Sequence, residues 1–360
     1  MEESIYSVIT GTGSYIPKRR VPNSTFLAHT FLDRDGQVLP KSNKEIVEKF
    51  LAITTIAERR YAEDDMRASD LAFYAAEKAI SHAAIDPETL DYVIVAHNFG
   101  DVGPIHKRVD LVPTLAARVK QKLAIKNPYA IAYDLPFGCP GWVQAVIQAD
   151  YYIKSGDAQR ILVIGSETLS RISDPHDRDS MLYADGAGAV VLEARHQSQP
   201  VGVLAHRTRS DTLRYANMLY MDESYNRDNT DRTLFLKMHG RKLYQYALEH
   251  VPSAIKSCLD KSGHSLEEVK KILIHQANGK MDEAILKRLF GLYDILDIPS
   301  DIMPMTVSYL GNSSVATVPT LLDLIIQGQL EPHHISSGDI VVFASVGAGM
   351  NINAVVYRVP

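Results

Sequence analysis

An α/β fold made of two related halves is what this sequence predicts. Two observations carry that reading. Short Val- and Ile-rich runs alternate with segments of helical periodicity, and four pairs of segments recur along the chain. The runs are YVIVAH (92–97), RILVIGSE (160–167), AVVLEA (189–194), KILIHQ (271–276), IVVFAS (340–345) and NAVVYR (353–358). Unbroken apolar runs of this length fit strands covered on both faces. Between them, residues 69–83, 140–156, 241–263 and 278–294 follow a helical apolar pattern. Pro140 suits a first helical turn and Gly156 a helix end. Pro252 predicts a kink or a split in the third helix. Strand and helix in alternation define the class.

The repeats support a duplication. FGCPGWVQAV (137–146) parallels LGNSSVATVP (310–319), so that Cys139 and Asn312 each follow a glycine and open a helix. YVIVAHN (92–98) parallels KILIHQAN (271–278), each strand ending on a histidine, His97 or His275. SGDAQRILVIGSE (155–167) parallels SGDIVVFASVGAG (337–349), and DGAGAVVLEA (185–194) parallels VGAGMNINAVVYR (346–358). One match could arise by chance; four favour an internal duplication. The break falls near ARHQSQP (194–200), giving halves of 1–196 and 197–360. A pseudo-twofold relation would bring equivalent helix starts and strand ends to one place. Segments 19–45, 98–110 and 217–240 are irregular, and fit either binding loops or plain connections.

Bulk properties narrow the function. The 360 residues suffice for two core-forming halves. A net charge of -5 argues against a broad nucleic-acid surface. The N-terminus MEESIYSVIT is acidic where a secretory signal is basic, and no run approaches the ~18 apolar residues of a membrane span. Two cysteines make neither a disulfide framework nor a zinc site. Thirteen histidines form no HxH or HExxH pair, and GTGSY (11–15) lacks the third glycine of a dinucleotide turn. A cytoplasmic protein with free thiols and neither metal nor cofactor is expected.

Cys139 draws attention by its neighbours. Gly138 permits a tight turn, Pro140 starts a helix, and the helix would point its positive end at the sulfur. That setting predicts a readily ionised nucleophile beside backbone N–H groups able to hold an oxyanion. The competing reading is an inert buried cysteine, which fits Cys258 inside its helix. His275 ends a buried strand at the carboxyl edge of a sheet, where α/β sites gather, although a lone histidine is often structural. Asn312 matches the Cys139 position, although asparagine is also a common helix N-cap.

Taken together, FGCPGW (137–142), HQAN (275–278) and GNSSVATVP (311–319) resemble the motifs of the β-ketoacyl-[acyl-carrier-protein] synthase III family, in the thiolase-like superfamily. GTGSYIP (11–17), ERRYA (58–62), YADGAGAVVLEA (183–194) and VGAGM (346–350) extend the resemblance in the family's order over nearly the whole chain. It implies a thiolase-like fold, a five-layer αβαβα sandwich, and an acyltransferase that forms C–C bonds by Claisen condensation. Cys139 would be the acylated nucleophile. His275 and Asn312 would hydrogen-bond the carbonyl of the second thioester and stabilise its enolate. The N–H groups of Cys139 and Ala348, the latter flanked by Gly347 and Gly349, would form the other oxyanion site, with Asn278 supporting His275. Such a reaction builds negative charge twice, so it needs two oxyanion sites. The implied partners are acyl-carrier protein and/or acyl-CoA thioesters and a second copy of the chain. Lys280, Lys287 and Arg288, and also Arg59 with Arg60, are candidate contacts for an acidic carrier; each group fits solvated surface charge as well.

Departures from the family pattern point to a specialised branch. In KFLAITTI (49–56), Lys49 and Ile53 replace the family's Trp and Arg that embrace the CoA adenine. Lys280 replaces an arginine, and Val346 a phenylalanine associated with loss of CO2. SDPHDRDS (173–180), HQANGKMDEAILKR (275–288) and GNSSVATVPTLLDL (311–324) most resemble ketosynthases that make dialkylresorcinols. The alternatives are a housekeeping synthase that starts fatty-acid synthesis from malonyl carrier, and, remotely, a Cys-His-Asn thiol hydrolase. A papain-like enzyme also orders Cys, His and Asn, but this chain lacks its CGSCW-like N-terminus and its disulfides.

Overall fold

The computed structural model describes residues 3–105 and 107–360. The first two residues of the acidic N-terminus, and His106 in the 98–110 loop, lie outside them. In chain order the first half sets out β1 (Ser4–Tyr15), α1 (Asn43–Thr54), α2 (Ala68–Ala83), β2 (Tyr92–His97), α3 (Leu115–Lys122), β3 (Ile131–Pro136), α4 (Gly141–Lys154), β4 (Arg160–Thr168) and β5 (Asp185–Gln197). The second half follows with β6 (Gly202–Ser210), α5 (Gly240–Ser262), β7 (Val269–Ile274), α6 (Gly279–Gly291), α7 (Thr317–Ile326), β8 (Ile340–Gly347) and β9 (Asn351–Arg358).

One sheet runs β1-β5-β4-β2-β3 and the other β6-β9-β8-β7. In the first, β2 and β4 are parallel, while β4–β5 and β5–β1 are antiparallel. In the second, β7 and β8 are parallel, while β8–β9 and β9–β6 are antiparallel. Order and direction therefore agree, with β3 as an added edge strand. The register makes the equivalence residue-specific. Ala96 pairs with Gly165, and Ile274 pairs with Ala344. Counting onward equates His97 with His275, Asn98 with Gln276, and Glu167 with Val346.

Side-chain alternation builds five layers. Val93 and Val95 of β2 pack under α2 and α3, while Ile94 and Ala96 face the other way, against α4 and α7. On the second sheet, Leu273, Val341 and Phe343 meet the same central helices, and Ile272, Ile274 and Val342 pack under α5 and α6. The order is α2/α3, sheet, α4/α7, sheet, α5/α6. Both sheets are covered on both faces, so their central strands read as unbroken apolar runs. Burial of one Leu- or Ile-sized side chain contributes roughly 1.5–3 kcal/mol. Trp142 of α4, buried edge-on against Phe343 of β8 with ring centroids 5.8 Å apart, joins the central helix to the far sheet.

Three expectations need correction. α5 is not split at Pro252 but continues from Gly240 to Ser262. Proline removes the N–H that would serve Leu248 O, and the Arg288 guanidinium donates to that carbonyl instead at 3.4 Å. Arg59 is not a surface cation. It is fully buried and donates to Val21 O, Met181 O and Asn23 Oδ1, with its guanidinium over the Phe26 ring. Burial pulls Arg59 down to about 10. The 217–240 segment is anchored rather than irregular throughout. It contains a hairpin of Leu219–Asp222 and Phe235–Met238, and the buried Lys237 pairs with Asp174 at 2.5 Å and Asp177 at 3.4 Å. Among the described residues, no helix is long and apolar enough to cross a membrane.

Candidate active site

β3 ends at Pro136 and α4 begins at Gly141, so Cys139 occupies the turn between them. Gly138 has φ 72°, the left-handed region that favours glycine. Close approach fixes this turn as well. A Cβ at Gly138 would lie 2.9 Å from Ala348 N, and a Cβ at Gly347 would lie 2.6 Å from Cys139 N. The Cys139 turn of one half and the Gly-rich turn of the other are thus nested backbone to backbone. Gly349, with φ 78°, continues the second turn.

His275 follows β7 directly, and its N–H donates to Ala344 O at 2.9 Å. Its ring is buried, and Nδ1 is buried without a hydrogen-bond partner among the described residues. Burial pulls this imidazole down to about 4, so it is neutral at physiological pH. Asn312 is held at both backbone groups: its N–H donates to Leu182 O at 2.9 Å, and its carbonyl accepts from Ala184 N at 2.8 Å. Its side-chain Oδ1 accepts from Ser314 N at 2.9 Å. The carboxamide oxygen is therefore occupied, and the NH2 group is the part left to donate.

Asn278 caps α6, its Oδ1 accepting from Met281 N at 3.1 Å. The residue that ties the His275 strand to the Asn312 loop is its neighbour Gln276. Gln276 Oε1 accepts from Thr306 N at 2.8 Å and Val307 N at 3.0 Å, and Nε2 donates to Pro304 O at 2.8 Å. Sequence reasoning quoted this residue within HQAN and gave it no part.

Cys139, His275, Asn278, Asn312, Gly347 and Ala348 line one cavity of about 670 Å³. Its walls are mainly apolar: Ile46, Phe50 and Ile53 of α1, Leu236 and Met238 of the hairpin, Leu243 of α5, and Val346 of β8. Lys41, Lys49, Arg178 and Arg241 also line it and are solvent-exposed, which places four cations at its mouth. Lys49 and the exposed Ile53 both stand at this entrance. Lys280, Lys287 and Arg288 are exposed on α6 but do not line the cavity.

The expected ease of ionisation at Cys139 does not hold. Burial pushes the thiol up to about 11, the Ser314 hydroxyl works against that rise, and the Glu167 carboxylate adds to it. A helix N-terminus offers roughly 0.3–1 kcal/mol, less than the ~1.4 kcal/mol of a single pKa unit, so desolvation wins. Cys258 is buried in α5 with its sulfur 3.4 Å from Ala354 O, as an inert thiol. Behind Cys139 lies a polar group that sequence reasoning missed. Glu167 Oε1 accepts from the backbone N–H of Asn98 and from Asn98 Nδ2 at 2.7 Å, and Nδ2 also donates to Ser314 Oγ at 2.9 Å. Burial raises Glu167 to about 7. The one available signal was a carboxylate ending an otherwise apolar strand in RILVIGSE.

A two-half sandwich with a cysteine, a histidine and an asparagine on one cavity defines a thiolase-like condensing enzyme. Profiles described as 3-oxoacyl-[acyl-carrier-protein] synthase III and its C-terminal region match residues 133–212 and 259–359. The β-ketoacyl-[acyl-carrier-protein] synthase III of Ruegeria pomeroyi is 34% identical over 357 residues, 98% of each chain. The crystal structure of the synthase III from Thermus thermophilus is 31% identical, with a TM-score of 0.78 over 98% of this chain and 99% of that one. A priming β-ketosynthase of the R1128 polyketide pathway is 25% identical, with a TM-score of 0.80 over 100% of this chain and 98% of that one. The chain belongs to the 3-oxoacyl-[acyl-carrier-protein] synthase III family and is an enzyme of the acyltransferase class.

Proposed function

We propose that this enzyme joins two acyl thioesters through an acyl-Cys139 intermediate. The Cys139 sulfur attacks the first thioester, with the oxyanion held by the N–H groups of Cys139 and Ala348, and the carrier thiol leaves with the proton. The second thioester places its carbonyl between a neutral His275 N–H and the Asn312 NH2. Loss of CO2 from a malonyl group then gives an enolate that attacks the acyl carbon and frees Cys139. Preorganised donors at a charge developing in a dry site contribute more than they would in water. The observation that carries this reading is the convergence of Cys139, His275, Asn312 and Ala348 on one cavity.

The relatives are named β-ketoacyl-[acyl-carrier-protein] synthase III, which fits a housekeeping synthase that would start from a malonyl carrier. A second reading, condensation of a β-ketoacyl thioester with another acyl thioester and closure to a dialkylresorcinol, is favoured by two features. Val346 stands in the cavity wall where the family has phenylalanine, and the wall is apolar enough for a long chain. The mouth cations Lys41, Lys49, Arg178 and Arg241, with Lys280, Lys287 and Arg288 on the adjoining helix, suit a carrier's acidic surface and its phosphopantetheine phosphate. Lys49 and Ile53 at the entrance favour the carrier over CoA as donor.

The open edge of β3, whose first residue Ile131 is 47% exposed and which follows Tyr129 at 84%, supports pairing with a second copy. The division into 1–196 and 197–360 falls at the end of β5, ahead of the linker to β6. Free thiols and thioester substrates suit a cytoplasmic setting. Intact-mass measurement tests the core reading: wild type gains an acyl mass from acyl carrier, and Cys139→Ala does not. Supplying malonyl or β-ketoacyl thioester next separates the two reactions by product. A Cys139→Ala protein that still gains the acyl mass would remove the assignment.

A further inference from the structure

The hairpin of Leu219–Asp222 and Phe235–Met238 shows two different faces. Successive side chains on a strand alternate. Leu236 and Met238 line the cavity, together with Leu219, which pairs with Met238. Lys237 lies between them, does not line the cavity and is 1% exposed. A cation buried that deeply requires partners. Lys237 Nζ donates to Asp174 Oδ2 at 2.5 Å and to Asp177 Oδ2 at 3.4 Å, and it stands 3.3 Å from the centre of the Tyr225 ring.

Both carboxylates are committed further. Asp174 Oδ1 accepts from His176 N at 3.0 Å and Ser224 Oγ at 2.9 Å, and Oδ2 accepts from Tyr225 N at 2.8 Å. Asp177 Oδ1 accepts from Asp179 N at 3.0 Å and so opens the turn Arg178–Leu182. That turn places Arg178, Asp179, Met181 and Leu182 on the same cavity. Leu236 N–H donates to Ile172 O at 2.9 Å, which aligns the strand beside the Asp174 segment. One buried ion cluster thus joins two pieces of cavity wall, through a contact between residues 63 apart along the chain. A slip of one residue would turn the ammonium group toward the apolar cavity and withdraw Leu236 and Met238 from it.

We propose that Lys237 is a positioning residue for substrate selection, its buried bonds to Asp174 and Asp177 fixing the hairpin and the Arg178–Leu182 turn as one rigid wall against which the hydrocarbon part of an acyl thioester is measured. The proposal deepens the reaction above and rests on acyl loading at Cys139. Lys237, Asp174 and Asp177 do not line the cavity, so they act on a substrate only through the wall they hold. Without the ammonium group two buried carboxylates lose their shared cation, and the hairpin loses the contact that sets its face. A wall free to shift discriminates less between acyl groups of different length.

Competition loading on the whole enzyme tests this. Acyl carriers from acetyl to dodecanoyl are supplied in pairs, and the relative acyl masses gained by Cys139 are read before loading is complete. Each ratio reports relative kcat/KM and does not depend on how much of a variant is folded, so a purely structural loss leaves it unmoved. Lys237→Met should reduce the ratio between the best and worst chain lengths about tenfold, the low end of what one methylene is worth in an apolar pocket. Ser224→Ala removes one bond to Asp174, keeps the ion pair, and should reduce the ratio in the same sense by less. Leu236→Ala changes the wall itself and should also alter the profile. Phe235→Leu, on the Lys237 side of the strand but outside the ion cluster, should leave it as in wild type. A wild type that loads every length equally overturns the proposal. So does an unchanged or steeper profile in Lys237→Met, an unchanged profile in Leu236→Ala, or a Phe235→Leu profile as flat as that of Lys237→Met. Loading with an unchanged profile overturns this inference alone; no acyl gain from any length overturns the proposed function and this inference with it.

Discussion

His97 and His275 end equivalent strands, and the fold treats them in opposite ways. His97 Nε2 pairs with Asp134 at 2.9 Å, and its Nδ1 accepts from Gly100 N at 3.0 Å. Asp134 in turn accepts from Leu115 N and Ala116 N, both at 2.8 Å, at the start of α3. Among the described residues His275 has no carboxylate partner, and it lines the cavity. The next equivalent positions repeat the contrast, with Glu167 in a polar network and Val346 against an apolar wall. Two sheets of matching topology thus offer two imidazoles at strand ends. The one whose nitrogens are both committed locally holds structure, and the one left open is available for chemistry.

That contrast can be broken most sharply at His275. His275→Ala should lower condensation by about 100- to 1,000-fold, the scale of losing one oxyanion donor, while acyl gain at Cys139 changes much less; equal loss of both would remove the division of labour. The next effect is on acid stability. His275 is neutral when folded down to about pH 4, whereas the unfolded imidazole takes a proton from about pH 6.5. The folded state therefore loses up to ~3 kcal/mol as pH falls through that window, and His275→Gln should lack this part of the slope in denaturant titrations at pH 6.5, 5 and 4.

His97→Ala should do the reverse of His275→Ala. It should cost about 2–3 kcal/mol of stability by leaving part of a buried acceptor unsatisfied, read as a lower melting temperature, with acyl loading retained by the folded fraction. The smallest effect is expected from Val346→Phe. Added bulk in the wall should cut turnover of the longest acyl thioesters a few-fold and spare acetyl, as expected for roughly 1 kcal/mol of crowding; an unchanged chain-length profile would clear Val346 of any part in selectivity.

The strands buried on both faces were legible because their sequences are continuously apolar. β1, β3 and β6 were not. β1 is broken by Gly11 and Gly13, β3 is a half-exposed edge holding Asp134 and Pro136, and β6 ends in exposed charge at HRTRS. Cys139, His275 and Asn312 stood out because each follows local junction chemistry and has a counterpart one repeat away. Asn98, Glu167 and Ser314 lie 69 and 216 residues apart along the chain in their contacts, and only folding brings them together. Arg59 and Arg60 were indistinguishable as text. In the strand Glu58–Tyr61 neighbours point to opposite faces, so one arginine enters the core while the other stays nearer the surface.

The nesting of Gly138 against Ala348, and of Gly347 against Cys139, has an evolutionary consequence. Each bend is the mould for the other, with clearances of 2.9 and 2.6 Å for even one added carbon. Genetic exchange that crosses over between the repeats must therefore deliver two bends already shaped to one another. A hybrid whose parents differ at either bend would inherit a folded shell around a misfitting centre.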